Sequence, residues 1–432
     1  MAKKGKTIFQ PGIKIPDMKY LTEDHAIEKM PPPKTVYISM SQGAGAPAKP
    51  IVKVGDRVRK GQKIAEAQGL ISSNVYSSVA GTVAGIQDIV NAMNTTVTFV
   101  IIENDFSEEE EFLPPIENLT RETIIERIRE AGIVGLGGAG FPTAVKLSPP
   151  KPVEMLILNG AECEPYLTCD YRLMIEKSEE IAKGARYMAK ALGVDKIKIG
   201  IEENKPKAIE IFRKMDGIEV VSLKKKYPQG SEKGLIYVCT KRKVPACKMP
   251  FDVGVVVQNV ATAYAVYEAI EKDIPLYQRV LTITGKGVNN PKNLWIRIGT
   301  KTDEIIEFCS GLNKDGIKII RGGPMMGKAM YQADGYAKKT DAGVVVLTQA
   351  ETNTSKQSNC INCGRCAKAC PMHLMPMKID DYALTERYEM AGKFGVMLCL
   401  ECGCCSFVCP AKRSLVQSIV LCKQKLRAKE RR

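Results

Sequence analysis

The chain runs to 432 residues, room for three or four domains, with 44% hydrophobic and 26% charged residues, the balance of a folded globular protein. Its densest apolar stretch, Val253–Val266, is broken by Gln258, Asn259 and Thr262, which excludes a membrane span of the usual ~18 apolar residues. A formal net charge of +15 admits nucleic acid, anionic lipid or an acidic protein as partner, but a single Trp and no recognised binding motif argue against nucleic acid.

The N-terminal segment MAKKGKTIFQPGIKIPDMKY is basic and lacks the apolar core of a secretory signal, so the chain is expected in the reducing cytoplasm, with its cysteines unpaired. Residues 1–110 are rich in Lys, Pro, Val and Gly. Lys49–Gln68 alternates as short strands about a Val-Gly-Asp turn, and Ser77–Ile86 repeats that habit. Both resemble the barrel-sandwich hybrid of lipoyl and biotinyl domains. Modified domains of that kind present a lysine at the hairpin tip. Gly69–Ser78 contains none, so the resemblance implies the fold without a swinging arm, and a docking role.

Acids at Glu103, Asp105 and Glu108–Glu111, followed by Pro114 and Pro115, mark a linker into a second domain, 111–275. Thr120 opens a helix that Gly132 ends. From Lys151 to Lys272 the pattern alternates: strands at Val153–Asn159, Lys196–Glu202 and Gly217–Leu223, and helices at Ile175–Leu192 and Asn259–Lys272. This predicts an α/β domain with a parallel sheet. A third unit, 276–348, mixes strands, one helix and Gly-rich turns in the manner of a β-grasp module. A polar linker, ETNTSKQS, then leads into residues 349–432. The fold class is therefore multidomain, α/β and α+β.

Two segments of the second domain carry candidate chemistry. In VGLGGAGFPTAVKL, Gly135, Gly137 and Gly140 satisfy G-x-G-x-x-G, but a helix rather than a strand precedes them, so the match is no dinucleotide fingerprint. Four glycines in six residues, Gly138 included, still let backbone amides approach a phosphate or ring closely. A following helix would add its dipole, Phe141 a stacking face, and Lys146 a cation. The strand Val153–Leu158 then delivers Asn159, Glu162 and Glu164 to its C-terminal end, where ligands sit in open α/β sheets.

The last domain holds two identical cysteine runs 39 positions apart (399 minus 360), each C-x2-C-x2-C-x3-C-P. That is the spacing of a two-cluster ferredoxin, in which the fourth cysteine of each run serves the other cluster. Cluster I takes Cys360, Cys363, Cys366 and Cys409, and cluster II takes Cys399, Cys402, Cys405 and Cys370. Zinc sites want two pairs of ligands rather than two Pro-closed quadruples. Cys404 reads as a spectator or as a competing ligand, and Cys163, Cys169, Cys239, Cys247, Cys309 and Cys422 mostly as small buried apolar residues. The tail bears Lys412, Arg413, Lys423, Lys425, Arg427, Lys429, Arg431 and Arg432 against the single acid Glu430. With Leu415, Val416, Ile419, Val420 and Leu421 on one face, it reads either as a helix docking on a membrane or acidic partner, or as a solvated terminal helix.

Taken together, GGAGFPT, N-x-x-E-x-E-P (Asn159–Pro165), YPQGSE (Tyr227–Glu232) and QNVAT (Gln258–Thr262) resemble the flavin- and NADH-binding subunit of respiratory complex I. Residues 280–327 resemble the soluble-ligand-binding β-grasp domain that follows there. With a lipoyl-like domain before and a two-cluster domain after, nearly the whole chain resembles the C-subunit family of Rnf electron-transport complexes. The resemblance implies that Gly135, Gly137, Gly138, Gly140 and Lys146 line FMN. It implies that Asn159, Asn259 and Thr262 hold its phosphate end or ring edge, with Tyr227 and Gly230 in the same site. Glu162, Glu164 and Glu232 would surround the nicotinamide and ribose of NADH, and Phe141 would stack near the adenine. Two departures stand out: Ala161 replaces an Asp and Leu136 an Arg.

The function so implied is NAD-dependent oxidoreductase chemistry in a peripheral subunit of an ion-pumping complex, on the cytoplasmic face of the membrane. Flavin beside two [4Fe–4S] clusters converts two-electron hydride transfer to one-electron transfer. The partners implied are NADH or NAD, a ferredoxin-like iron–sulfur subunit and integral membrane subunits, with no nucleic acid. Two other readings stay open: a cobalamin reductase of a microcompartment, which resembles the same module set, and a non-catalytic relay or scaffold.

Overall fold

The computed structural model describes residues 12–90, 96–331, 333, 335–352 and 355–430. The basic segment 1–11, Asn353 and Thr354 of the polar linker, and Arg431 and Arg432 lie outside the described residues.

After β1 (Ile27–Lys29), the chain builds two facing antiparallel sheets. One has the order β2 (Thr35–Ser39), β8 (Thr96–Asn104), β7 (Gly81–Val90), β4 (Arg57–Val58); the other has β3 (Lys49–Pro50), β5 (Lys63–Glu66), β6 (Val75–Tyr76). Period-two alternation turns Val36, Ile38, Ile64, Val83, Val100 and Ile102 into a common interior. Two sheets closed over one core make the barrel sandwich that the resemblance implies. β1 is not part of it: Ile27–Lys29 pairs in parallel with Asn293–Trp295 of the third unit.

α1 (Arg121–Glu130) starts where expected. The Thr120 hydroxyl accepts from the Thr123 N–H, Thr123 returns the bond to the Thr120 N–H, and Gly132 follows at φ +63°. α2 (Thr143–Lys146) is a single turn, so the helix dipole expected after the glycine loop is not there. β9 (Met155–Gly160), β10 (Lys196–Glu202), β11 (Ile218–Leu223) and β12 (Val255–Asn259) form an all-parallel sheet in the order β11-β10-β9-β12. Leu156 and Leu158 face the core shared with α4 (Ser178–Leu192) and α7 (Val260–Glu271), while Met155 and Ile157 face α6 (Glu232–Thr240). A sheet buried on both faces needs such near-continuous apolar strands. The single helix expected at Ile175–Leu192 is in fact two, α3 (Cys169–Glu176) and α4, broken at Lys177 (φ −134°, ψ 34°). α5 (Pro206–Arg213) completes the layer.

The third unit is a six-stranded sheet, β1-β14-β13-β17-β15-β16, with β13 (Gln278–Thr284), β14 (Lys292–Arg297), β15 (Gly316–Arg321), β16 (Lys328–Met330) and β17 (Gly343–Thr348), packed by α8 (Thr302–Phe308). The last domain is helical: α9 (Arg365–Ala369), α10 (Pro376–Leu384), α11 (Tyr388–Lys393), α12 (Cys404–Phe407) and α13 (Leu415–Glu430). Leu415, Ile419 and Cys422 of α13 are buried within this domain. Lys423 is also buried, donating to the Cys399 carbonyl (3.0 Å) and pairing with Glu401. Much of the apolar face of the basic tail is thus spent on its own domain; Leu421 is 45% exposed.

Candidate functional site

β9 is the pivot of the parallel sheet. The chain leaves it toward β10 and β11, then returns to place β12 on its other side. Such a reversal opens a crevice at the C-terminal strand ends. Asn159 and Asn259 are register partners there, the last paired residues of β9 and β12. The Asn159 amide donates to the Gly230 carbonyl (2.9 Å), and its oxygen accepts from the Ala161 N–H (3.2 Å). Asn259 caps α7, accepting from the Ala261 and Thr262 N–H groups, and donates to Asp170 (2.7 Å). The N-x-x-E-x-E-P, Y-P-Q-G-S-E and Q-N-V-A-T segments therefore meet at one place.

The glycine loop closes the crevice. The Gly135 N–H donates to the Phe141 carbonyl (2.9 Å) and the Gly140 N–H to that of Gly135 (3.2 Å). The Leu136 N–H donates to the buried Thr262 hydroxyl (2.9 Å), pinning the loop to α7. Thr262 thus holds the loop and spends its hydroxyl there. A Cβ at Gly137 would stand 3.3 Å from that of Asn259, whereas one at Gly138 (φ +107°) meets nothing within 4 Å. The bare backbone at Gly138 borders open space, as a cradle for a phosphate or ring requires. Lys146 and Glu232 form a half-exposed ion pair (2.6 Å). Phe141 is half-buried in the same loop.

Glu162 and Glu164 both have partners within the protein. Glu164 accepts from the Met325 and Met326 N–H groups (3.1 and 2.9 Å) in the β-grasp loop after β15. Burial pushes its carboxyl up to about 7. Glu162, at φ +43°, accepts from the Asp170 N–H (2.7 Å) and lies 3.6 Å from Lys19. Sequence reasoning missed this buried polar network. Lys19 donates to the Glu164 carbonyl (3.0 Å) and to that of Leu167. Lys205 donates to the Ala161 carbonyl (2.7 Å) and lies 3.7 Å from Glu202. Burial, then the neighbouring Glu162, raises Asp170 to about 6. Asp170 had one legible signal, an acid inside the apolar run LTCDYRLMI; Lys19 and Lys205 had none.

The barrel sandwich is docked on the glycine loop. The Ala44 N–H donates to the Gly140 carbonyl (2.8 Å), and Gly43 and Gly140 pack so closely that a Cβ on Gly140 would lie 2.8 Å from the Gly43 Cα. Buried Lys339 ties the two domains together, donating to the carbonyls of Asn74 and Gly132 (both 2.7 Å), and its ammonium is driven down to about 7 by burial.

In the last domain, Cys360, Cys363, Cys366 and Cys409 line one cavity with Met377 and Arg413. This is the crossed set expected from spacing, and four thiols around one void suit an iron–sulfur cube. Cys370 lies with Cys399, Cys402 and Cys405, and burial raises the thiols of Cys370, Cys399 and Cys405 above their ordinary value. Cys404 is buried in an apolar seam with Ile13, Tyr227 and Ala369. Tyr227, whose O–H donates to the Cys402 carbonyl (2.8 Å), joins the crevice to this domain. Of the scattered cysteines, Cys169, Cys239, Cys309 and Cys422 are buried as expected, but Cys247 is exposed.

Comparison with known proteins follows the same division. Residues 7–107 match the family described as RnfC barrel sandwich hybrid domain, 128–268 the Nuo51 FMN-binding domain, 280–329 the SLBB domain, and 359–412 the 4Fe-4S dicluster domain. The chain is 45% identical to the C-subunit of a proton-translocating ferredoxin:NAD(+) oxidoreductase complex from Clostridium ljungdahlii, over 97% of this chain and 94% of that one. It is 41% identical to the C-subunit of the Na(+)-translocating ferredoxin:NAD(+) oxidoreductase complex of Acetobacterium woodii, over 98% of each. It is also 41% identical to the C-subunit of the ion-translocating oxidoreductase complex of Rhodobacter capsulatus, over 99% of this chain and 86% of that one. Among solved structures, a chain of an NAD+-reducing [NiFe]-hydrogenase in the H2-reduced state shares the fold, with a TM-score of 0.50 at 18% identity, over 73% of this chain and 63% of that one.

Proposed function

The chain belongs to the C-subunit family of ion-translocating ferredoxin:NAD+ oxidoreductase complexes, and from that premise we propose that it exchanges electrons between NADH and a one-electron chain through FMN and two [4Fe–4S] clusters. The observation that carries this reading is the meeting of four motifs at the β9/β12 reversal, closed by a glycine loop with bare backbone at Gly138. Flavin accepts two electrons as hydride and releases them singly, which iron–sulfur clusters require.

The protein's own groups position and tune. Backbone amides of Gly137–Gly140 would approach FMN, and Lys146, Asn159, Asn259 and Gly230 would help to hold it. Glu232 lines the nucleotide side. Thr262 sets the loop, and Glu164 acts from the β-grasp boundary. Ala161, fully buried, leaves one acid fewer beside the ring. No general acid or base is required: His25 and His373 are the only histidines, and neither belongs to the crevice motifs. Cys360, Cys363, Cys366 and Cys409 ligate one cluster, and Cys399, Cys402, Cys405 and Cys370 the other.

Among the described residues no helix is long and apolar enough to cross a membrane. Other subunits, integral membrane and ferredoxin-like, would therefore hold this one at the cytoplasmic face. Anaerobic titration of the flavin- and cluster-reconstituted chain with NADH tests the reading. Flavin bleaching followed by loss of cluster absorbance is expected. No bleaching, with iron and flavin bound, would leave a relay or scaffold.

A further inference from the structure

The stretch ahead of the barrel crosses the crevice. Ile13 and Tyr227 exchange both backbone hydrogen bonds (2.8 and 2.9 Å), and the Tyr166 N–H donates to the Asp17 carbonyl (2.7 Å). The Thr22 and Thr168 hydroxyls meet at 2.7 Å, and the Asn293 amide donates to the Thr22 carbonyl (3.0 Å). Residues 12–22 are thus fastened to the segments that follow β9 and β11. Between these anchors a single 3-10 turn, Lys19–Leu21, carries the Lys19 side chain inward, where the residue is 2% exposed.

Lys19 meets a pair of buried acids. Its ammonium donates to the Glu164 and Leu167 carbonyls and lies 3.6 Å from Glu162 Oε2, a buried oxygen that accepts no hydrogen bond. The other Glu162 oxygen accepts from the Asp170 N–H (2.7 Å). Carboxylate oxygens of Glu162 and Asp170 lie within 4.8 Å of each other and of the Cys169 sulfur. Two carboxylates so close and so buried stay charged together only beside a cation. Lys205, just before α5, and Arg279 on β13 also face the pair. Lys205 is spent on the Ala161 carbonyl and Glu202, and Arg279 on the Val280 and Lys339 carbonyls. Among the described residues, Lys19 alone forms an ion pair with either acid.

The pair reaches the glycine loop through one side chain. Asp170 accepts from the Asn259 amide (2.7 Å), and Asn259 packs under the loop, its Cβ 3.3 Å from where a Cβ on Gly137 would stand. A protonated Asp170 gives up the charge that strengthens this bond.

We propose that Lys19 is a positioning residue for the flavin site: it keeps the Glu162–Asp170 pair ionised, so that Asp170 holds Asn259 in place beneath the glycine loop. This rests on the FMN site proposed above.

The test measures FMN dissociation constants by fluorescence quenching on the full, cluster-reconstituted, flavin-free chain. Each variant's constant is divided by the wild type's at the same pH, which cancels the titration of FMN's own phosphate. In the wild type Asp170 takes up a proton as pH falls through about 6. A neighbouring opposite charge lowers a carboxyl by about 1–3 pH units, so without Lys19 the pair protonates at higher pH. Lys19→Met should therefore weaken FMN binding by about 10-fold or more, and most strongly one to two units above about pH 6. The ratio should shrink at lower pH, where the wild type is protonated too, and at higher pH, where the variant ionises. Lys19→Arg keeps the charge and should restore most of the loss. Thr22→Val loosens the same stretch without touching charge, and its ratio should not vary with pH. A Lys19→Met ratio that is flat with pH would reduce Lys19 to a structural role and overturn the proposal, as would an equal peak in Lys19→Arg. If Lys19→Met does not fold, Asp170→Asn decides. It cannot titrate, so its ratio should fall as pH drops through about 6, and a flat ratio would overturn the proposal. Failure of the wild-type chain to bind FMN would instead refute the proposed function.

Discussion

Substituting Gly43 with Ala probes what the barrel sandwich does for the flavin site. Gly43 lies on a barrel loop, and its neighbour Ala44 donates an N–H to the Gly140 carbonyl (2.8 Å). A Cβ at position 43 would overlap that carbonyl oxygen and stand 3.3 Å from its carbon and 3.4 Å from Val134 Cγ1. Backbone is in the way rather than a flexible side-chain end, so the glycine loop must give. Overpacking of this kind costs ~1–3 kcal/mol, and loss of the Ala44–Gly140 bond adds ~1 kcal/mol. The free chain can relieve the overlap by displacing the loop, while the flavin-bound chain needs the loop in place. The cost should therefore appear as affinity. At about 1.4 kcal/mol per factor of ten, FMN binding should weaken roughly 30- to 700-fold. FMN fluorescence quenching on the apo-flavin chain measures the dissociation constant, and cluster absorbance, which should not change, controls for folding of the last domain. An FMN dissociation constant within twofold of wild type would show that the barrel does not set the loop.

Thr262→Val keeps the volume but leaves the Leu136 N–H without its acceptor, a loss of ~1–3 kcal/mol; FMN retained after gel filtration should fall, and full retention would free Thr262 from the loop. Lys19→Met removes the cation beside buried Glu162 and two carbonyl contacts. Breaking such a buried pair costs ~3–5 kcal/mol, so the urea midpoint should drop, and an unchanged midpoint would count against the network. For Glu164 the sign follows from its carboxyl, raised from 4.5 to about 7 by burial. The native state holds the proton more tightly, so this group's contribution is complete below about pH 4.5 and is lost as pH rises through 7. Melting temperatures of wild type and Glu164→Gln should diverge from about pH 5 to 8, the wild type losing ground, and parallel profiles would remove the effect.

Local chemistry was legible in the chain. Cluster ligation depends on thiols two and three residues apart, and the crossed set around Cys360 and Cys409 is the set that lines a cavity. Strands such as Lys196–Glu202 read correctly because a doubly buried parallel strand must be apolar almost throughout. The Thr120 cap and the Gly132 stop were readable because a helix end needs partners within a few residues. Where the neighbours mattered, reading failed. Nothing local announces a break at Lys177, or that α2 stops after one turn.

The amino-acid order by itself determined the modules, their succession and the segments that carry chemistry, because spacing, period and glycine content act over a few residues. Only the tertiary structure decided what those segments touch. It placed Lys19 beside Glu162, turned Glu164 onto Met325 and Met326, and spent the Thr262 hydroxyl on the glycine loop. It also set the barrel against Gly140 and one cysteine run against Tyr227. These partners lie tens to hundreds of positions apart. Their pairing is set by how whole domains bury surface and satisfy buried polar groups, which no local pattern of residues encodes.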